Sequence, residues 1–273
     1  MRSKFNTVFA SAAAVLMSLS VPGAALAATL DVSSINGNWT GLYSGNGQTP
    51  TYITGLNTNS VSWGTPHVSS LTGRQSGYSF LGAAAGQIES DTDFNLGTFT
   101  HRNFVLNPGT SIAGAGLGLV VNMVIGGVNR ALTTAFNFSH DETLNNGESN
   151  GLCKNGGANN VGVNSNGCAD RVSILDNTGQ QEAFEVNGFL YILEITGFIQ
   201  NGQAFTEFWT REDAENSASL RARFTLVGAV APVDRVVPID PVVPSPVPLP
   251  AAGWMVLTGL GALAAMRARR RKS

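Results

Sequence analysis

Lysine is almost missing from this 273-residue chain: Lys4, Lys154 and Lys272 are the full set. Histidine is as scarce, at three residues, and cysteine is confined to Cys153 and Cys168. Each shortage removes a class of function. With so little basic charge between the two ends there is no patch to hold nucleic acid or another polyanion. No His-Glu-x-x-His, Gly-x-Ser-x-Gly or phosphate-cradling glycine loop occurs, so the chain carries no catalytic signature and is expected not to be an enzyme. No repeat of fixed period is present, which disfavours a propeller or a β-helix, and helical periodicity is almost absent.

What is present is most distinctive at the ends. Arg2 and Lys4 precede an apolar stretch from Val8 to Leu19, and Ala25-Leu26-Ala27 puts small residues where a signal peptidase reads them. Residues 1–27 therefore read as a signal peptide, cleaved between Ala27 and Ala28. At the other end Leu249 to Met266 is 18 residues without charge. At about 1.5 Å per residue it reaches ~27 Å, a minimal transmembrane helix for a bilayer core of ~30 Å. The basic run from Arg267 to Lys272 predicts a cytoplasmic tail over 267–273. Both ends place the intervening body outside the cytoplasm. Without the two basic ends, nine Lys and Arg remain against 18 Asp and Glu, a net charge of −9. Such a body suits divalent cations or neutral glycans better than phosphates.

Residues 28–229 read as one all-β domain, a β-sandwich of jelly-roll-like type. Leu220, Ala222, Phe224 and Leu226 alternate with polar residues, as do Val128, Leu132, Phe136 and Phe138 on a second strand, and Phe189 to Phe198 is apolar enough for a central strand. Further strands are expected over 38–43, 61–63, 77–81, 95–106, 117–125, 171–175, 181–186 and 204–209, with one helical turn within Glu212–Ala218. The small residues of Leu81–Gly86 and Ile112–Gly118 predict tight connections or sheet-crossing bends. Seven prolines between Val230 and Pro250 make residues 230–248 a semi-rigid spacer.

Cys153 and Cys168, alone in an exported body, are expected to form a disulfide closing an Asn/Gly-rich loop. Acidic side chains beside that loop, Asp141, Glu142 and Asp170, are weak candidates for calcium, although no loop motif fixes the ligands; otherwise no cofactor is implied. His101 shares a strand face with Phe99 and Asn103 and has no carboxylate partner nearby in sequence, so its expected role is to hydrogen-bond turn backbone at a sheet edge; His67 and His140 stand isolated. Two rival functions are legible. A carbohydrate-binding module would expose a row of aromatics such as Trp39, Tyr43, Tyr52 and Trp63. A glycoside hydrolase would pair two of Glu185, Glu194 and Glu207 across a cleft.

The C-terminal order of Val247-Pro248-Leu249-Pro250-Ala251, apolar span and arginines resembles the VPLPA-type branch of the PEP-CTERM sorting signals of Gram-negative bacteria. Thr100-His101-Arg102-Asn103, together with Trp63-Gly64-Thr65-Pro66, Phe94-x-Leu96-Gly97 and Asp141-Glu142-Thr143, is similar to the THxN group of such proteins and to choice-of-anchor domains. The resemblance implies signal peptidase and a membrane exosortase as partners, cleavage at the Pro-rich motif, and transit from the inner membrane to the cell surface or matrix. It also implies an association with exopolysaccharide and biofilm, and a non-catalytic structural or ligand-binding role.

Overall fold

The computed structural model describes residues 27–70, 73–148, 150–175 and 183–230. The signal peptide up to Leu26, the spacer from 231 onward, the sorting motif, the apolar span and the basic tail lie outside the described residues. Among the described residues no helix is long and apolar enough to cross a membrane.

The fold is all-β. Its strands are β1 (Thr29–Tyr43), β2 (Ser60–Trp63), β3 (Ser76–Gly82), β4 (Gly86–Glu89), β5 (Phe94–Asn103), β6 (Gly114–Ile125) and β7 (Val128–Asp141), followed by β8 (Asp170–Ile174), β9 (Phe184–Val186), β10 (Phe189–Gln200), β11 (Gln203–Phe205), β12 (Glu207–Thr210) and β13 (Ala214–Ala229). One sheet runs β12-β8-β7-β6-β1-β4, the other β11-β10-β13-β5-β3-β2 with β9 paired to β10, and neighbouring strands are antiparallel. Tight hairpins fix register where two consecutive residues take positive φ: Gly126-Gly127 joins β6 to β7, Asn187-Gly188 joins β9 to β10, and Asn201-Gly202 joins β10 to β11. Such two-residue turns match the twist of the strands they connect.

Aromatic side chains lock the sheets together. Trp39 of the first sheet lies 5.1 Å from Tyr78 and 5.6 Å from Phe99 of the second, and Phe138 lies 5.2 Å from Phe99. All four are fully buried in one continuous core. Burial of each such side chain is worth about 1.5–3 kcal/mol.

Most expected strands are present, and the departures have physical causes. β1 starts nine residues before the expected Asn38 because a bulge between Val32 and Ser34 shifts the parity, so Leu30 and Val32, then Ile35, Gly37 and Trp39, all face inward. Ile112–Gly118 is not a bend. From Gly114 it is the start of β6, where Ala115, Leu117 and Leu119 fill the core while Gly116 and Gly118 leave room on the opposite face for Tyr43 and Thr40. Leu81–Gly86 does carry the chain from the second sheet to the first. The strand expected over 204–209 breaks at Thr206 into β11 and β12, which belong to different sheets. The helical turn expected within Glu212–Ala218 is instead the start of β13, paired with β5 from Ala214↔Asn103. Val128 is exposed, and the inward face of β7 begins at Leu132.

Candidate functional site

Inward-facing positions near the ends of β5, β7, β8 and β12 are polar, and the fold brings them together. On β5 the alternation that buries Phe99 also buries His101 and Asn103. On β7 the face of Phe136 and Phe138 continues to His140 and, just beyond the strand, to Glu142. Asp170 opens β8, directly opposite Thr210 at the end of β12, and Glu212 follows two residues on. His101, Asn103, His140, Asp170, Thr210 and Glu212 are all buried, walled by Trp63, Tyr78 and Phe99.

The hydrogen bonds fix how these groups present themselves. Thr210 Oγ1 lies 3.1 Å from the Asp170 carbonyl, which can only accept, and 2.8 Å from His101 Nδ1. The one hydroxyl proton goes to the carbonyl, so His101 donates from Nδ1 and its Nε2 carries a bare lone pair. Burial first, then His140 and Arg102, hold the His101 pKa well below its usual value and keep the ring neutral. Among the described residues no hydrogen-bond partner meets that Nε2. His140 has its Nδ1 2.6 Å from the Tyr78 hydroxyl, while its Nε2 lies 3.3 Å from Glu142 Oε2 and 3.5 Å from Ser111 Oγ. Burial, Asp170 and Glu142 push the Tyr78 pKa up, so the phenol stays protonated. The two imidazole centroids are 5.2 Å apart, edge to face.

The carboxylates are equally exposed to one another and poorly paired. Ligand atoms of His140, Glu142 and Asp170 all lie within 4.8 Å of one another. Asp170 Oδ1 accepts from the Thr143 N–H at 2.7 Å, but among the described residues Oδ2 has no hydrogen-bond partner, and neither does Asn103 Oδ1 or either oxygen of Glu212. Burial, then Glu142 and Glu212, raise the Asp170 pKa. Burial, then Glu142 and Asp213, raise that of Glu212 to about 8. Asn103 and Asp170 approach Glu212 and offset part of that rise without meeting hydrogen-bond geometry. No lysine or arginine among the described residues forms an ion pair with Glu142, Asp170 or Glu212. A cleft of about 340 Å³, lined among others by His67, Ser111, Glu142 and Asn145, opens from solvent onto the edge of the centre.

Protein-family models and curated proteins give this chain no match.

The structure therefore rearranges the sequence candidates. Cys153 and Cys168 form a disulfide, with Cα atoms 5.2 Å apart and both residues buried. Of the three calcium candidates, Glu142 and Asp170 enter the centre, whereas Asp141 turns outward to Arg171 and Lys154. His101 is not at a sheet edge, since β5 lies between β3 and β13, and its partner is a side chain rather than turn backbone. His140 is not isolated. Trp39 and Trp63 are fully buried, so only Tyr43 and Tyr52 of the expected aromatic row reach solvent. Glu185, Glu194 and Glu207 are not brought together: Glu207 pairs with Arg171 on the first sheet, Glu194 accepts from Thr225 on the second, and Glu185 is exposed on β9. Glu212 and Thr210 were not singled out in the sequence. The available signal was the two-residue spacing of Thr210 and Glu212 behind the buried Phe208.

Proposed function

We propose that this chain is an exported, surface-sorted protein whose β-sandwich, jelly-roll-like, is non-catalytic and serves a structural or ligand-binding role at the cell surface or in the extracellular matrix. In this reading residues 1–27 direct export, the span at 249–266 holds the body on the outer side of the inner membrane, and an exosortase cuts at Val247–Ala251. Exopolysaccharide is the partner this reading implies. The observation that supports it best is the buried Cys153–Cys168 disulfide, because such bonds persist in oxidising compartments outside the cytosol. The acidic balance of the body and the start of β1 at Thr29, just past the Ala27–Ala28 bond, agree with it. Burial of Trp39 and Trp63 weakens the carbohydrate-module rival, and separation of the three glutamates weakens the glycosidase rival.

Cell fractionation tests it. The chain is expected outside the cytosol with Ala28 as its first residue, and scrambling Val247–Ala251 should trap it in the membrane fraction. Intact polypeptide retaining residues 1–27 in the cytosol, with both cysteines reduced, would rule the reading out.

A further inference from the structure

We propose that the buried centre binds one divalent first-row transition metal ion through His140, Glu142 and Asp170. Three observations carry this. The first is convergence: one imidazole nitrogen and two carboxylate oxygens, from the end of β7 and the start of β8, lie within 4.8 Å of one another. The second is the set of orphaned atoms. Asp170 and His101 are fully buried, yet among the described residues Asp170 Oδ2 and His101 Nε2 have no hydrogen-bond partner, and Asn103 Oδ1 and both Glu212 oxygens are in the same condition. Folded proteins rarely leave buried polar atoms without partners, and a cluster of them points to an ion. The third is charge. Three carboxyl groups share this space with no basic side chain paired to any of them except His140, and a dication compensates two negative charges at once.

The surroundings fit a metal ligand set. Each histidine has its Nδ1 engaged by a hydroxyl, from Thr210 or Tyr78, which fixes the ring, as metal-bound histidines are fixed; the Nε2 of His140 faces Glu142 Oε2, its fellow ligand. The cleft beside Glu142 and Ser111 provides a route in from solvent. Imidazole nitrogens suit zinc, iron, nickel or copper, whereas calcium takes six to eight oxygens. An imidazole among only three converging ligands, with Asp141 turned away, therefore favours a transition metal over calcium. A chain that stayed in the cytosol would carry the same centre, so this inference and the sorting reading fail separately.

The test uses the full chain purified in detergent, stripped with a chelator and titrated calorimetrically with Zn²⁺ and, separately, with Ca²⁺. The expected result is saturable binding of one Zn²⁺ per chain, with Ca²⁺ far weaker. Glu142 borders the cleft, so Glu142→Gln should fold, and it should weaken Zn²⁺ by about tenfold or more, as should Asp170→Asn. Asp141→Asn should leave the affinity unchanged within about threefold, because that side chain faces Arg171 and Lys154. Addition of Co²⁺ should give visible absorption bands that Glu142→Gln alters, a readout independent of stability. A folded, stripped chain that takes up no Zn²⁺, tighter binding of Ca²⁺ than of Zn²⁺, or an Asp141→Asn effect equal to that of Glu142→Gln would overturn the proposal.

Discussion

Replacing Thr210 by valine tests whether the polar centre is a built constellation. The side chain is fully buried, and its hydroxyl ties together three groups: it receives the His101 Nδ1 proton at 2.8 Å, donates to the Asp170 carbonyl at 3.1 Å, and lies 3.4 Å from the Asn103 amide. Asn103 keeps its 3.1 Å bond to the Thr210 carbonyl after the change. Valine keeps the shape and removes the hydroxyl, leaving the His101 N–H buried without an acceptor. Unsatisfied buried groups cost about 1–3 kcal/mol each, so with the weakened bond to Asp170 the loss should be roughly 2–4 kcal/mol. For a domain of this size about 1 kcal/mol moves Tm by roughly 2–4 °C, so Thr210→Val should lower it by about 5–15 °C. Thr210→Ser keeps the hydroxyl and gives up one buried methyl, about 1 kcal/mol, and should recover most of that loss. Thermal unfolding followed by circular dichroism on the purified chain measures both. A valine variant within about 1 °C of the parent, or a serine variant as damaged as valine, would refute the tautomer assignment and the network drawn from it.

Reducing the disulfide, or the double change Cys153→Ser and Cys168→Ser, should cost about 3 kcal/mol in the chain-entropy account of a 15-residue loop, seen as a lower urea midpoint. Gly82→Ala should be destabilising by about 1–3 kcal/mol, because its new Cβ would meet the Ile35 carbonyl oxygen of β1, while Gly86→Ala, which meets nothing, should stay within about 1 kcal/mol. In the metal-free chain stability should fall as pH rises from about 6.5 to about 8. In that window the folded state keeps the proton on Glu212, held near 8, that the unfolded chain has already lost, for a change of up to about 2 kcal/mol. His101 acts in the opposite direction only below about 6.5, where the unfolded chain binds a proton that the buried ring refuses. A urea midpoint that rises between pH 6.5 and 8 would show that Glu212 ionises in the fold.

Alternation made much of the architecture legible. Leu220 to Leu226 and the 132–138 face follow the period-2 rule, and Phe189 to Phe198, read from its apolar run, is a strand inside its sheet. Bulges were not legible, because a parity shift such as that between Ile195 and Gly197 depends on the partner strand, not on local composition. Nor was the glycine-rich start of β6, whose small residues make sense only once Tyr43 is seen lying over them. The same alternation hinted at the site. His101 follows Phe99 and His140 follows Phe138 at two-residue spacing, which aims both rings inward, but their 39-residue separation hides that the two strands belong to opposite sheets. Asp141 and Glu142 show the limit most plainly, since adjacent acids at a strand end turn to opposite sides, one to Arg171 and the other to His140.

Metal content per chain, measured by inductively coupled plasma mass spectrometry on protein purified without chelator, tests the claim that these buried donors exist to hold an ion. About one transition-metal ion per chain, lost in Glu142→Gln, is the expected result. Chains carrying no metal, or carrying stoichiometric calcium in its place, would contradict it.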